Sequence, residues 1–314
     1  MSREVVLIIG PPASGKTTVT KPLVEQGYVQ LSRDIAGGKV TDLVPDMIVA
    51  LSDGKSVVMD NLFATVASRK PFVDAAVIRK VPIRCVLMDT ALEDAQINAL
   101  NRMWDRHGKI FFTQEDLKAV KNDPNMFPCA VLFKYRKEFE KPTTAEGFTT
   151  VEKQKFMRRP LGSEFTNKAV LLDFDDTLRK STGSKPYPIS ISEIQALPGR
   201  TEILKQWEKK GYVLLGVSNQ SAIAKKEFSM EDAHAMFAYT CKLLGVTIDV
   251  QFCPHRIPPM TCYCRKPQSG LAVHFIRKYN LDPKQCIMVG DATTDKTFAG
   301  RAGFQFVDQA EFFK

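Results

Sequence analysis

The sequence predicts an α/β protein of two domains, each built on a mostly parallel sheet. The length of 314 residues is sufficient for two domains of ordinary size. Short apolar runs of strand length alternate with helix-like segments, which is typical of parallel sheets covered by helices. Two such series are present, one from Val5 and one from Ala169, and each carries a polar signature directly after its first strand.

Between the two series lies a polar, basic stretch with Pro160 and Gly162, which indicates a linker. We therefore expect a first domain at residues 1–152, a linker at 153–167 and a second domain at 168–314. Strands are expected at 5–9, 28–31, 56–59, 84–88, 169–172, 213–217, 249–252, 286–289 and 304–307. Helical periodicity is expected over 91–106 and 114–121, with further helices between the strands of the second series.

The composition is that of an ordinary globular protein, with 44% hydrophobic and 25% charged residues, and excludes disordered, collagen-like and coiled-coil chains. The apolar run Val5–Ile9 is too short to span a bilayer and lacks the order of a signal peptide. Seven cysteines, an odd number, imply no dense disulfide framework. We expect a cytoplasmic or nuclear protein without membrane contact. The net charge of +9 slightly favours an anionic partner such as nucleic acid.

The first polar signature is a phosphate-binding loop. Residues 10–17 read G-P-P-A-S-G-K-T and match G-x-x-x-x-G-K-[ST] after a strand. In such loops backbone N–H groups surround the phosphates, lysine supplies a cation and the final hydroxyl contacts Mg²⁺. The pattern predicts ATP binding, with Mg²⁺ at Thr17, and a chance Gly-rich turn is the alternative. The nucleotide-binding set is Gly10, Ala13, Ser14, Gly15, Lys16, Thr17 and Thr18.

Residues that could act on the phosphate acceptor follow the next strands. Asp34 could take a proton from an attacking hydroxyl, and Asp60 with Asn61 could contact substrate or metal. A helix cap or a turn is the alternative role for each carboxylate. Arg102 and Arg106 share one face of a predicted helix, where they could hold a transferring phosphoryl group or form a solvated basic surface.

Several segments of the first half resemble the kinase domain of polynucleotide kinase-phosphatases, over about residues 3–151. They are G-Y-V at 27–29, S-R-D at 32–34, M-D-N at 59–61, A-S-R at 67–69, Y-R-K-E-F-E-K-P at 135–142 and A-E-G-F at 145–148. The resemblance implies that Asp34 is the general base for a 5′-hydroxyl and that Lys16 binds ATP. It further implies that Arg102 and Arg106 hold the phosphates and that Asp60 lies in the substrate region.

The second polar signature, D-F-D-D-T-L at residues 173–178, places two carboxylates two residues apart. Residues at this spacing point the same way in a strand, so both can reach one pocket, although an acidic turn is the alternative. The segment resembles motif I of the haloacid dehalogenase superfamily, in which the first carboxylate attacks phosphorus and the second transfers protons.

The resemblance to this superfamily extends through three further motifs and covers about residues 168–309. It implies that Asp173 is the nucleophile, Asp175 the acid and base, Ser218 a phosphoryl contact and Lys266 the motif III cation. Asn219 follows Ser218 and is predicted to bind substrate. The predicted Mg²⁺ ligands are Asp173, Asp175, Asp291 and Asp295.

Four further residues have the spacing of a structural zinc site. Cys253, His255, Cys262 and Cys264 offer three thiolates and an imidazole, which suit tetrahedral Zn²⁺. A metal-free loop is the alternative. The same loop occurs in histidinol-phosphate and heptose-bisphosphate phosphatases, which this half resembles and which act on small molecules.

These features predict a bifunctional enzyme that repairs nucleic-acid ends. A P-loop kinase domain would phosphorylate 5′-hydroxyl ends of DNA or RNA, and a haloacid dehalogenase-type domain would remove 3′-phosphates, with ATP, Mg²⁺ and Zn²⁺ as cofactors. A separate ligase would be a natural partner. The first alternative is a small-molecule kinase fused to a sugar-phosphate or histidinol-phosphate-type phosphatase, and the second is a non-catalytic nucleic-acid binder.

Overall fold

The computed structural model describes residues 3–121, 123, 125–258 and 262–314. The chain divides into two compact units, one comprising Met1–Ala99 with Val120–Arg159 and the other Leu100–Ala119 with Pro160–Lys314. Each unit contains a five-stranded parallel sheet flanked by helices, so the prediction of two α/β domains is confirmed. Within the described residues, each helix is too short or too polar to cross a bilayer.

The sheet of the first unit has the strand order β2-β3-β1-β4-β5. Its strands are β1 (Val5–Ile9), β2 (Val29–Leu31), β3 (Val57–Asp60), β4 (Ile83–Asp89) and β5 (Val151–Lys155). The helices are α1 (Lys16–Glu25), α2 (Arg33–Ala36), α3 (Leu43–Ser52), α4 (Val66–Ile78), α5 (Leu92–His107) and α6 (Cys129–Glu138). Strand β1 is apolar at every position and fully buried, as expected for a central parallel strand. Because all the strands are parallel, their carboxyl ends meet at one edge of the sheet.

Two sequence predictions about the first half are wrong in detail, and the compact units divide the chain differently from the predicted domains. Residues 153–155, predicted as linker, continue β5 beside β4. As an edge strand β5 needs only backbone pairing on one side, so it carries exposed polar side chains instead of an apolar signal. The helix predicted over 114–121 is a short 3-10 helix, Asp116–Val120. Residues 100–119, predicted in the first domain, belong to the second unit.

Residues 100–119 are attached to the second unit by specific contacts. Arg277 Nε donates to Asn101 Oδ1 at 2.7 Å, and the Arg277 guanidinium lies 3.0 Å from Asp105. The backbone N–H of Tyr263 donates to the carbonyl of Phe112 at 2.9 Å. These long-range contacts have no signature in the local sequence, which explains why the domain boundary was predicted at a different place.

The sheet of the second unit has the strand order β10-β9-β6-β11-β12, with a separate antiparallel hairpin, β7-β8. Its strands are β6 (Ala169–Leu172), β7 (Arg179–Ser181), β8 (Ile194–Ala196), β9 (Val213–Asn219), β10 (Asp249–Cys253), β11 (Ile287–Gly290) and β12 (Gln305–Asp308). The helices are α7 (Arg200–Lys209), α8 (Met230–Leu244), α9 (Gly270–Tyr279), α10 (Thr293–Ala302) and α11 (Gln309–Phe312). The hairpin was not predicted, because its strands are only three residues long and partly polar.

Two candidate active sites

The phosphate-binding loop connects β1 to α1, as its pattern predicts. Gly15 caps α1 with a φ of +88°, a conformation that favours glycine. At Gly10 a Cβ atom would lie 2.7 Å from Met88 Cβ and equally close to Ser14 Oγ, so only glycine fits. Lys16 Nζ donates to the carbonyl oxygens of Gly10 and Pro11, at 3.2 and 2.9 Å. The Lys16 side chain therefore folds back over the backbone of the phosphate-binding loop.

Two side chains hydrogen-bond the backbone of the loop, one directly after β4 and one on α5. Thr90 Oγ1 donates to the Ser14 carbonyl at 3.0 Å, and Asn98 Nδ2 donates to the Ala13 carbonyl at 2.9 Å. Sequence reasoning did not assign Thr90, since a threonine after a strand has no distinguishing pattern. Arg102 and Arg106 follow Asn98 on α5, among the residues of the second unit, and their role on the phosphates stays a prediction.

Asp60 ends β3 beside the phosphate-binding loop, opposite Ile8 of β1. Thr20 Oγ1 lies 3.5 Å from Asp60 Oδ2, and Thr17 also hydrogen-bonds this carboxylate. Burial raises the pKa of Asp60, and Lys16 opposes that shift. The carboxylate predicted to contact substrate therefore shares its surroundings with Thr17, the residue predicted to hold Mg²⁺. A carboxylate and a hydroxyl oxygen are hard ligands that suit this ion.

Asp34 lies near the start of α2, where the neighbouring strand β2 ends. Ser32 Oγ accepts a hydrogen bond from the Asp34 backbone N–H at 3.3 Å, and the Arg33 backbone N–H donates to Asn61 Oδ1 at 3.0 Å. The Asp34 carboxylate is 56% exposed and lies 3.6 Å from the Arg33 guanidinium. Asp34 also acts electrostatically on Asp60. The structure thus brings an accessible carboxylate, Asp34, and a half-buried one, Asp60, to the same edge of the sheet, while Asn61 holds the Asp34 segment in place.

The centre of the second unit is organised around Lys266, whose side chain is 3% exposed. Its ammonium lies 2.7 Å from Asp173 Oδ1, 2.7 Å from Asp295 Oδ1 and 2.8 Å from the carbonyl oxygen of Val217. The backbone N–H of Lys266 donates to Asn219 Oδ1, and Asn219 Nδ2 donates to the Lys266 carbonyl. Asn219, predicted to bind substrate, uses both ends of its amide on the backbone of the lysine segment.

The charged groups of this centre lie close enough to shift one another's pKa. Burial raises the pKa of Asp173 to about 7, an effect that Lys266 opposes and Asp295 reinforces. Burial alone would lower the pKa of Lys266, but the two carboxylates outweigh it and raise that pKa, so the ammonium stays charged. Ligand oxygens of Asp173, Asp291 and Asp295 lie within 4.8 Å of one another. Three carboxylates at this spacing fit a magnesium ion, which would favour their charged forms.

Asp175, the predicted acid and base, is held on both of its oxygens. Arg179 Nε donates to Asp175 Oδ1 at 2.8 Å, and Gln220 Nε2 donates to Asp175 Oδ2 at 3.0 Å. Gln220 also donates to Ser218 Oγ at 2.9 Å, which connects the predicted phosphoryl contact to the acid and base. Sequence reasoning did not assign Arg179 or Gln220. Gln220 directly follows Ser218 and Asn219, which were assigned from the sequence, and could have been found, whereas Arg179 is one of many basic residues.

The predicted zinc ligands come together at the end of β10. Cys253 Sγ lies 3.4 Å from His255 Nδ1 and 3.6 Å from Cys262 Sγ, and Cys264 Sγ lies 3.2 Å from His255 Nδ1. A tetrahedron with metal–ligand bonds of about 2.0–2.3 Å has edges of roughly 3.3–3.8 Å. Hydrogen bonds from Cys253 and Cys264 hold the pKa of Cys262 well below its usual range, whereas the hydrogen bonds of Cys264 with Cys253 and Cys262 raise the pKa of Cys264. The four residues therefore fit a tetrahedral metal site.

In comparisons with known proteins, separate family models match the two halves of the chain. A family model described as an AAA domain matches residues 5–123, and one described as polynucleotide kinase 3 phosphatase matches residues 168–313. The bifunctional polynucleotide phosphatase/kinase of Schizosaccharomyces pombe is 32% identical over 155 residues, which are 49% of this chain and 34% of that protein. The chain thus matches about a third of the length of that relative.

The chain is also similar to proteins of other kinds. The D-glycero-beta-D-manno-heptose-1,7-bisphosphate 7-phosphatase of Haemophilus ducreyi is 37% identical over 146 residues, covering 43% of this chain and 79% of that protein. Among solved structures, a chain of the Pnkp1/Rnl/Hen1 RNA repair complex is similar over 98% of this chain and 96% of its own length, with 15% identity and a TM-score of 0.32.

Proposed function

We propose that the protein repairs nucleic-acid ends by two reactions, because residues 168–313 match the family model described as polynucleotide kinase 3 phosphatase. One reaction phosphorylates a 5′-hydroxyl with ATP, and the other removes a 3′-phosphate. The observation that carries the proposal is the presence of two separately built centres in one chain. A P-loop with two carboxylates lies in the first unit, and an aspartate nucleophile paired with a buried lysine lies in the second.

In the proposed phosphatase reaction, the Asp173 carboxylate attacks phosphorus and the bond from phosphorus to the 3′-oxygen breaks. The Asp175 carboxyl gives its proton to that oxygen, which leaves as a hydroxyl. Asp175, now a carboxylate, takes a proton from water, whose oxygen attacks the phosphoaspartate. Inorganic phosphate leaves and Asp173 is regenerated. Lys266 is already placed against Asp173 and offsets the negative charge that gathers there.

In the proposed kinase reaction, Asp34 takes the proton of the 5′-hydroxyl, whose oxygen attacks the γ-phosphorus of ATP while the bond to the β-phosphate oxygen breaks. Lys16 exchanges its two loop carbonyls for phosphate oxygens. The P-loop N–H groups and the start of α1 bind the phosphates. We expect Arg102 and Arg106 to neutralise the charge of the transferring group.

Two kinds of metal ion fit the residues present. Thr17 with Asp60, and Asp173 with Asp291 and Asp295, would each hold Mg²⁺. When bound, the ion supplies positive charge that orients phosphate oxygens and stabilises charge in the transition state. The four Cys and His ligands would hold a structural Zn²⁺, which fixes the segment that leads into Lys266.

The product of both reactions is a 5′-phosphate and a 3′-hydroxyl, the pair of ends that a nucleic-acid ligase joins. We therefore propose a ligase as the next enzyme to act, and DNA or RNA ends as the substrates of an intracellular protein. The contacts would be mainly to phosphates, so binding should depend on salt and little on base sequence.

A small-molecule phosphatase is the second candidate for the second unit. The 37% identity to a heptose-bisphosphate phosphatase, over 79% of that protein, favours it. The two candidates differ in how binding responds to salt, because release of counterions makes polymer binding fall steeply as salt rises. We would compare kcat/KM for a 3′-phosphate oligonucleotide with that for a heptose bisphosphate at two salt concentrations. A large preference for the sugar phosphate at both concentrations would select the second candidate.

Single substitutions test the proposal of two independent centres. Asp34→Asn should abolish 5′-phosphorylation and leave 3′-phosphatase activity near that of the unsubstituted protein, and Asp173→Asn should do the reverse. The exposed carboxylates Asp46 and Glu208 provide matched controls as Asp46→Asn and Glu208→Gln, which should change neither activity. Loss of both activities in either single active-site variant would contradict the two-centre proposal.

A further inference from the structure

Arg179 is a buried cation that the reaction described above does not use. It begins β7 and is 1% exposed. Its Nε donates to Asp175, and its Nη1 donates to the Met236 carbonyl at 3.2 Å and to Thr240 Oγ1 at 3.0 Å. Both of these acceptors belong to α8. One guanidinium therefore joins the proposed acid and base to a helix outside the sheet.

The guanidinium is also confined by aromatic rings. Its central carbon lies 5.5 Å from the ring centre of Phe174 and 4.9 Å from that of Phe237. The two rings contact each other edge to face, with centres 4.7 Å apart and an interplanar angle of 82°. A planar guanidinium packed in this way has few orientations, and lysine could not reproduce its divergent hydrogen bonds.

These contacts of Arg179 restrict the orientation of the Asp175 side chain. Its Oδ1 accepts a hydrogen bond from Arg179 and its Oδ2 accepts one from Gln220, so the side-chain torsions χ1 and χ2 of Asp175 are fixed. The side chain nevertheless remains 21% exposed. A carboxyl that must give a proton to a leaving oxygen, and later take one from water, needs a fixed orientation toward both. The segment that follows β6 positions the Asp175 backbone, whereas α8, through Arg179, orients its side chain.

We propose that Arg179 is a positioning residue for proton transfer by Asp175, and that α8 is the frame from which it acts. The proposal rests on the phosphatase half of the proposed function. Arg179 itself exchanges no proton. In the first step the proton moves from the Asp175 carboxyl to the leaving oxygen as the bond from phosphorus to oxygen breaks, and in the second step it moves from water to the Asp175 carboxylate.

The choice of leaving group distinguishes a positioning role of Arg179 from a merely structural one. If Arg179 positions Asp175, its loss should lower activity more on substrates whose leaving group needs a proton. p-Nitrophenolate is a weak base and leaves without a proton, whereas phenolate, whose conjugate acid has a pKa of about 10, gains from protonation. The alkoxide released from a nucleotide gains still more. The quantity kcat/KM covers the steps up to loss of the leaving group, so it reports proton donation by Asp175 and omits hydrolysis of the phosphoaspartate.

The experiment measures kcat/KM for p-nitrophenyl phosphate, phenyl phosphate and a 3′-phosphate oligonucleotide. Arg179→Met should lose at least about tenfold more on phenyl phosphate and on the oligonucleotide than on p-nitrophenyl phosphate, since a well-placed general acid contributes about 10²–10⁴-fold. Arg179→Lys should show the same selectivity, because one ammonium cannot replace the divergent contacts of the guanidinium. Leu244→Ala is the control, since it removes buried volume from the end of α8 and should lower all three values equally.

A second variant keeps the test decisive if Arg179→Met does not fold. Thr240→Val removes one acceptor of Arg179 with little change of shape, and it should give a smaller loss with the same selectivity. Equal losses on the three substrates, in Arg179→Met or in Thr240→Val, would overturn the positioning role. Failure of the unsubstituted protein to act on the oligonucleotide would count against the proposed function, while the phenyl and p-nitrophenyl pair would still decide the role of Arg179.

Discussion

The charge of Lys266 can be removed with little change of shape by the substitution Lys266→Met. The ammonium lies 2.7 Å from each of two carboxylates, those of Asp173 and Asp295. At an effective dielectric constant of about 20, each contact is worth about 6 kcal/mol before desolvation is subtracted. Desolvation offsets most of this attraction, but removing one partner of a buried pair still costs about 3–5 kcal/mol, because the remaining charge is left uncompensated. We expect the second unit to lose stability by that amount.

Thermal unfolding in the presence of EDTA measures this loss. For a domain of this size about 1 kcal/mol corresponds to roughly 2–4 °C, so the midpoint should fall by about 6–20 °C. Excess Mg²⁺ should reduce the difference, since the ion restores positive charge between the carboxylates. Acidification below the raised pKa of Asp173, about 7, should also reduce it, because a protonated carboxyl needs no counter-charge.

The control is Lys278→Met, which removes an ammonium that is 42% exposed and lies 2.7 Å from Asp249. An exposed pair of this kind contributes only about 0–1 kcal/mol, so the midpoint should change by a few degrees at most. Equal shifts for Lys266→Met and Lys278→Met in EDTA would refute the reasoning, and so would a Lys266→Met shift that Mg²⁺ leaves unchanged.

Four further predictions concern separate parts of the chain. Elemental analysis should find about one Zn²⁺ per chain, and Cys262→Ala should lose the metal and lower phosphatase activity; a fully active metal-free protein would contradict this. Asp60→Asn should raise the Mg²⁺ concentration that gives half-maximal kinase activity, measured by titration, and an unchanged requirement would exclude Asp60 from the metal site. Arg102→Ala should lower kcat of the kinase more than it raises KM for the oligonucleotide. A change in KM alone would mean that Arg102 only binds the oligonucleotide and does not stabilise the transferring phosphoryl group. Burial lowers the pKa of His274, so the unfolded state binds more protons there and stability should fall below about pH 6.5; His274→Phe should remove this component from the pH dependence of unfolding.

The parts of the fold that follow a local pattern were predictable from the sequence. An apolar run followed by a glycine-rich loop specifies β1 and the P-loop, because a buried parallel strand needs apolar side chains on both faces. Asp34 and Asp60 could be placed at the same edge because the carboxyl ends of parallel strands meet there. Asp173 and Lys266, which are far apart in the chain, were assigned to one site by the resemblance to the haloacid dehalogenase superfamily, and the structure places them 2.7 Å apart.

The parts that depend on tertiary contacts were not predictable in this way. Strand β5 is polar, and only its pairing with β4 makes it a strand. Residues 100–119 group with the second unit through contacts such as that of Arg277 with Asn101, whose partners are 176 positions apart. Arg179 could not be distinguished from a surface cation, because its burial depends on α8, which lies more than fifty residues downstream.

The most direct test of the central claim uses one oligonucleotide that carries a 5′-hydroxyl and a 3′-phosphate. It is incubated with the protein, ATP and Mg²⁺, and both ends are then identified by mass spectrometry. The account predicts a product with a 5′-phosphate and a 3′-hydroxyl, formed without cleavage of the strand and in amounts that fall steeply with salt. An oligonucleotide with both ends unchanged, under conditions in which the protein hydrolyses p-nitrophenyl phosphate, would contradict it.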